Sequence, residues 1–223
     1  MRNKKTERFA VALALLLTAT VNANNVTNYY DDFSGSGSVD LQSQAPGVGP
    51  VGQTWDAHAS LNADGSFAGG MMGSRNGFLA FTPEPGKIYT FSVDVTISNP
   101  DGAGKHWAAI ALTSSEDISG AKSIAPVGSG VGAATLLLVR NGQGQALLKN
   151  GMKLVNFNPA KTSANLTLEL NTQNDLWFVR YLVDGDEVAA GTFTANPEIS
   201  HIAVGQSGTT SGNFDNLSLM VSP

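Results

Sequence analysis

Tyr89-Thr90-Phe91-Ser92-Val93-Asp94-Val95-Thr96-Ile97-Ser98 decides the fold. Apolar Tyr89, Phe91, Val93, Val95 and Ile97 alternate with polar Thr90, Ser92, Asp94, Thr96 and Ser98, the period of a strand with one face in a core. Leu166, Leu168 and Leu170 alternate in the same way with Thr167, Glu169 and Asn171. Two hairpins stand beside these strands. Ala134 to Arg140 and Gln145 to Lys149 flank Asn141-Gly142-Gln143-Gly144, and Leu176 to Val183 and Glu187 to Phe193 flank Asp184-Gly185-Asp186. Asn-Gly and Asp-Gly accept the positive φ of tight hairpin turns.

Further strands are expected around Phe78 to Thr82, Trp107 to Thr113, Ile199 to Val204 and Phe214 to Val221, and no amphipathic helix is apparent. The 223 residues hold 25 Gly and no Cys, with 42% hydrophobic and 14% charged residues. That hydrophobic share is too high for a disordered chain. The missing Cys excludes disulfide scaffolds, thiolate metal sites, cysteine nucleophiles and lipid anchoring through an N-terminal Cys. Many short strands joined by Gly-rich turns predict one all-β domain over 24–223, a two-sheet antiparallel β-sandwich of jelly-roll type.

Ahead of that domain, Arg2, Lys4, Lys5 and Arg8 precede an apolar run from Phe9 to Val21, and Val21-Asn22-Ala23 offers small residues to a signal peptidase. Residues 1–23 therefore read as a secretory signal peptide. The run is shorter than the roughly 20 residues of a membrane-spanning helix. The mature chain is expected to be exported, secreted or periplasmic, with no membrane insertion after cleavage. The whole chain has 13 basic and 18 acidic residues; the leader takes four of the first and one of the second, leaving a net charge of −8. So acidic a domain has no electrostatic footprint for nucleic acid.

Asp31-Asp32-Phe33-Ser34-Gly35 near the start and Asn213-Phe214-Asp215-Asn216-Leu217-Ser218-Leu219 near the end frame Gly73-Ser74-Arg75-Asn76-Gly77-Phe78, Gly86-Lys87-Ile88-Tyr89-Thr90-Phe91 and Leu182-Val183-Asp184-Gly185. This pattern resembles secreted bacterial proteins with a concanavalin A-like (laminin-G-like) jelly roll. The resemblance spans most of residues 30–221 and implies two antiparallel sheets with one concave face. It also implies a function among those of that superfamily: lectins, glycan-binding modules, glycosidases, polysaccharide lyases and adhesive domains. Many relatives end in a membrane sorting tail, and the stop at Ser222-Pro223 implies a soluble product instead.

Catalytic signatures are sparse. The sequence contains no HExxH, GxSxG or GxxxxGK[ST]. The ExDxxE carboxylates of laminarinase-like members and the motifs of alginate-lyase-like members are missing, and Asp184-Gly185-Asp186-Glu187 falls on a turn, where successive side chains diverge. Asp94 and Glu169 point away from the core on two strands. If those strands neighbour, the pair offers an acid and a base for a polysaccharide-degrading enzyme, with Arg180 beside them; the competing reading is ordinary sheet-surface polarity with an ion pair. For ligand binding, Trp107 shares a face with Ala109 and Ala111, small neighbours above which an indole could receive a sugar ring. Trp55, beside Asp56 and His58, is the second aromatic candidate, whereas Trp177 reads as core. The alternative for Trp107 is burial under a loop.

The sequence thus leads to an exported, non-catalytic glycan-binding module with a polysaccharide or oligosaccharide partner, set against an enzyme of the same superfamily or a structural or adhesive envelope protein. A structural calcium ion is a further expectation. Adjacent chain ends would gather Asp31, Asp32, Asp215 and Asn216, hard oxygen donors of the kind Ca²⁺ takes. Otherwise the aspartates cap turns or face water while Phe33 and Phe214 fill the core.

Overall fold

The computed structural model describes residues 25–58, 61–67, 74–97, 107–113, 133–140, 143–148, 155–157, 162–207 and 212–223. The leader expected at 1–23, Ser98, the Asn141-Gly142 turn and Lys149 lie outside the described residues. The described residues form fourteen strands and no helix. They are β1 (Val26–Asp31), β2 (Asp56–Ala57), β3 (Ser66–Phe67), β4 (Ser74–Ala80) and β5 (Ile88–Ile97). Then follow β6 (Trp107–Thr113), β7 (Ala133–Arg140), β8 (Gln143–Leu148), β9 (Val155–Phe157) and β10 (Ser163–Asn171). The last four are β11 (Phe178–Val183), β12 (Asp186–Thr192), β13 (His201–Ser207) and β14 (Gly212–Ser222).

The strands form two antiparallel sheets. The first has the order β1-β14-β5-β10-β11-β12, with β3 added to β14; the second runs β2-β4-β13-β6-β7-β8-β9. Alternation determines which side chains fill the space between them. Tyr89, Phe91, Val93, Val95 and Ile97 of β5 are buried while the residues between them are partly exposed, and β10 repeats the pattern with Leu166, Leu168 and Leu170. The other sheet meets them with Ile110, Leu112, Leu137, Ile202 and Val204. Burial of this apolar layer drives the folding of such a sandwich.

Two phenols fasten the sheets across the core. Tyr29 of β1 donates to the Ala80 carbonyl of β4 at 2.6 Å, and Tyr181 of β11 donates to the Leu147 carbonyl of β8 at 2.8 Å. Thr135 of β7 donates in turn to the Tyr181 oxygen at 2.7 Å. Burial pushes the Tyr181 phenol well above its ordinary pKa. The β11–β12 hairpin closes through Asp184 and Gly185 with φ of 53° and 85°, the two successive positive values of a type I′ turn.

β6 departs from the alternation. All seven of its side chains are buried, because the outward face of the second sheet carries its own apolar cluster of Phe78, Trp107, Ala109, Ala111, Leu136 and Leu138 with Ala203. The first sheet's outward face is polar and half-buried instead, and the open site lies there.

Candidate functional site

Strands β5 and β10 are neighbours, and Asp94 and Glu169 both stand on the outward face of the first sheet. The register holds them apart. Glu169 lies opposite Thr90, whereas Asp94 lies opposite Asn165. Four residues of strand separate the two positions, about 13 Å at ~3.3 Å per residue. A glycosidase needs its carboxyl groups about 5 to 9.5 Å apart, so Asp94 and Glu169 do not form the expected acid–base pair. Of the two, Arg180 joins Glu169 and not Asp94. It faces Glu169 across β10 and β11, donates to it at 3.0 Å and to Glu187 of β12 at 2.7 Å. The flanking carboxylates raise the guanidinium pKa through hydrogen bonds first and charge second. With side chains 39% (Arg180), 27% (Glu169) and 44% (Glu187) exposed, this trio is a solvated surface cluster and adds little stability.

Asp94 belongs to a different group. A pocket of about 410 Å³ opens on the same face, lined by Asp94, Asn165, Asp184, Asn213 and Asp215 with the hydroxyl residues Thr96 and Ser163. Adjacent strands β14, β5 and β10 supply the walls, and the β11–β12 turn supplies Asp184. Asp94 Oδ1 accepts from the Asn165 amide at 2.8 Å and its Oδ2 from the Asn216 amide at 2.9 Å. Asn216 has φ of 50° where the β5–β14 register shifts between Asp215 and Ser218. This β-bulge re-aims the Asn216 side chain over the sheet, a common use of bulges near sites. Asn165 accepts from Thr167 through its own oxygen at 2.9 Å, which orients the amide. The lining thus presents fixed carboxylate, amide and hydroxyl groups. Such groups together donate and accept in the manner required by a polyhydroxylated ligand.

The tryptophans require correction. Trp55 is 1% exposed; its indole N–H donates to Asp31 at 2.6 Å and its ring centroid lies 5.7 Å from that of Phe33. It is a core residue and offers no surface to a ligand. Trp107 shares its face with Ala109 and Ala111 as expected, yet it is 5% exposed within the outward apolar cluster of the second sheet, so no indole stands open above the sheet. Trp177 packs against the main core. On the same outward face Asn76 is 0% exposed and neither atom of its amide has a hydrogen-bond partner, nor does the hydroxyl of Thr113.

The chain ends pair as adjacent strands, Asp31 facing Leu217 across β1 and β14. Their oxygen donors nevertheless diverge. Asp31 is 6% exposed and holds Trp55 and the Phe33 backbone N–H (2.9 Å), while Asp32 faces solvent and accepts from the Ser34 N–H at 3.1 Å. Asp215 and Asn216 belong to the pocket side of β14. Asp31 is therefore turned into the core, away from the more exposed Asp32, Asp215 and Asn216, and no group of three or more His, Asp or Glu suited to a metal occurs among the described residues.

Asp31 gives a pH prediction. Burial raises its pKa more than the hydrogen bonds from Trp55 and Phe33 lower it, and neighbouring Asp32 adds to the rise. The native state therefore holds the Asp31 proton more tightly than the unfolded chain does. This stabilisation is full below the ordinary carboxylate pKa and is lost as pH climbs through the raised value. Urea titrations between about pH 3.5 and 7 should show wild type losing stability relative to Asp31→Asn as pH rises. A difference between the two that stays constant with pH would refute the assignment.

No family model and no curated protein matches the sequence. Solved structures match the fold over most of the chain. The endo-1,3-beta-glucanase from Streptomyces sioyaensis superposes with a TM-score of 0.59 at 12% identity, over 89% of this chain and 97% of that one. The fold is a concanavalin A-like jelly roll. The Emp47p carbohydrate recognition domain gives 0.53 at 12% identity over 87% and 94%, and the metal-free Emp46p domain gives 0.50 at 12% over 86% and 97%. At such identity the likeness is one of architecture, and site residues cannot be carried across. Sequence reasoning singled out Asp94, Asp215 and Asn216 but passed over Asn165 and Asn213. The signal for Asn165 was present, since it occupies an outward position two residues before Thr167 in an alternating strand.

Proposed function

We propose that this chain is an exported glycan-binding β-sandwich module whose ligand seats in the polar pocket on the first sheet. The pocket itself carries this reading: about 410 Å³ lined by carboxylates, amides and hydroxyls. Ligand pockets span ~300 to 1,000 Å³, and planar amide and carboxylate groups suit the paired donors and acceptors of vicinal hydroxyls. The Emp47p carbohydrate recognition domain and the endo-1,3-beta-glucanase show that the architecture accommodates both binding and cleavage of glycans. The pair singled out for acid and base work, Asp94 and Glu169, lies too far apart to act together, so binding is the reading put to the test. The basic leader and acidic domain support export.

Isothermal titration of the mature protein against a panel of oligosaccharides tests the proposal. At least one should bind, and Asn165→Ala should weaken it about tenfold, the effect of one well-placed hydrogen bond. The variant should melt near the wild-type temperature, since Asn165 is half-buried on the outward face. Absence of any glycan binding overturns the reading, and binding indifferent to Asn165→Ala moves the ligand elsewhere. Release of reducing ends or unsaturated products in the same mixtures would establish an enzyme instead.

A further inference from the structure

Resting on that reading, we infer that the pocket selects a glycan bearing a protonated amine, an amino sugar, over neutral and uronic acid glycans. Asp94 and Asp215 lie directly opposite each other across β5 and β14. Their hydrogen-bond partners are all neutral: the Asn165 and Asn216 side-chain amides on Asp94, and the Asn216 backbone N–H on Asp215. Like charges directly opposite on a sheet repel. Amides solvate a carboxylate without cancelling its charge, so the repulsion persists in the free protein. An ammonium group placed between the two relieves it, while Asn213, Thr96 and Ser163 line the same pocket to take up hydroxyls around the ring, and Asn165, held by Asp94 and Thr167, offers its second amide hydrogen. A hydroxyl in place of the amine gains the hydrogen bonds without the charge. A uronate carboxylate meets the negative charges of Asp94 and Asp215, with Asp184 a third on the pocket wall, and is rejected, the repulsive half of specificity. Half-burial of these groups limits the screening that would otherwise erase the preference.

The test is a calorimetric titration of the mature protein with glucosamine, N-acetylglucosamine and glucuronate oligomers of equal length. Glucosamine oligomers should bind at least about tenfold tighter than acetylated ones, glucuronate oligomers should not bind, and added salt should narrow the difference. The Asp94→Asn/Asp215→Asn double variant should lose the amine preference and stay folded, since the one amide hydrogen bond lost at position 94 is offset by removal of a like-charge pair. Asp40→Asn/Glu198→Gln, which neutralises two exposed carboxylates elsewhere, should keep it. Tight binding of acetylated or glucuronate oligomers with equal dependence on Asn165 overturns the amine inference and leaves the pocket reading standing. An equal loss in both double variants overturns it too, by assigning the preference to overall charge. Saturable CaCl₂ binding abolished by Asp94→Asn/Asp215→Asn, without any amine preference, assigns the pocket to a metal and overturns it. Failure of every oligomer to bind overturns both proposals.

Discussion

The Trp55→Ala protein is expected to melt roughly 10 °C or more below wild type. Truncating a buried Trp to Ala costs about 3 to 5 kcal/mol, and in a domain of this size each kcal/mol moves the midpoint by ~2 to 4 °C. Trp55 meets every condition for the upper part of that range. It is 1% exposed, packs beside Phe33 and touches the backbone of β4, where a Cβ on Gly77 would lie 3.1 Å from the indole. Its N–H is also one of two hydrogen-bond donors to the buried Asp31 carboxylate. Losing that donor leaves a charged oxygen without compensation in a dry site, an added penalty of about 1 to 3 kcal/mol. Trp55→Phe separates the terms, since it keeps most of the packing and removes only the donor. Differential scanning calorimetry should place it between wild type and Trp55→Ala. An unchanged midpoint in Trp55→Ala would return this residue to the list of ligand contacts.

The sequence made the sandwich legible wherever one face of a strand is buried and the other is wet. β5 and β10 meet that condition, and their burial follows the residue alternation position by position. β6 was also placed at its observed bounds, Trp107–Thr113, but the fate of its second face was open to two readings. Alternation assigns Trp107 to the face opposite Ile110; it cannot say whether other parts of the chain cover that face. β1 was expected only as a chain end pairing with the last strand, not from its own residue pattern, for a related reason. Its two inward residues are Tyr29 and Asp31, and an aspartate at a core position breaks the apolar period. That residue is tolerated only because Trp55, 24 positions later, reaches back to hold it. A contact so distant in sequence leaves no local pattern. The site follows the same logic. The outward direction of Asp94 and Glu169 could be read from β5 and β10 separately, but their spacing depends on the register between two strands some 70 residues apart. The pocket further required a bulge at Asn216 and a turn at Asp184, neither of which a period of two encodes.

Gly65→Ala is expected to destabilise the fold by about 3 kcal/mol or more, through two separable costs. Gly65 has φ of 73° in the turn before β3, and a residue with a Cβ pays roughly 1 to 2 kcal/mol in this left-handed region. The second cost is steric. A Cβ at Gly65 would overlap the carbonyl oxygen of Phe214 and lie 3.1 Å from the Phe33 ring. The turn cannot withdraw easily, because the Phe214 N–H donates to the Gly65 carbonyl at 3.0 Å and the Gly65 N–H to Asn62 at 2.9 Å. Overpacking of a rigid contact adds about 1 to 3 kcal/mol. Gly86 supplies the internal control, with φ of 82° and no atom within 4 Å of its would-be Cβ. Gly86→Ala should therefore pay only the conformational cost. Chemical denaturation of both variants isolates the close approach of the Asn62–Gly65 turn to β14 as the difference between them. Equal losses in the two would mean that β14 yields at Phe214, and with it the strand that carries Asp215 and Asn216 to the pocket.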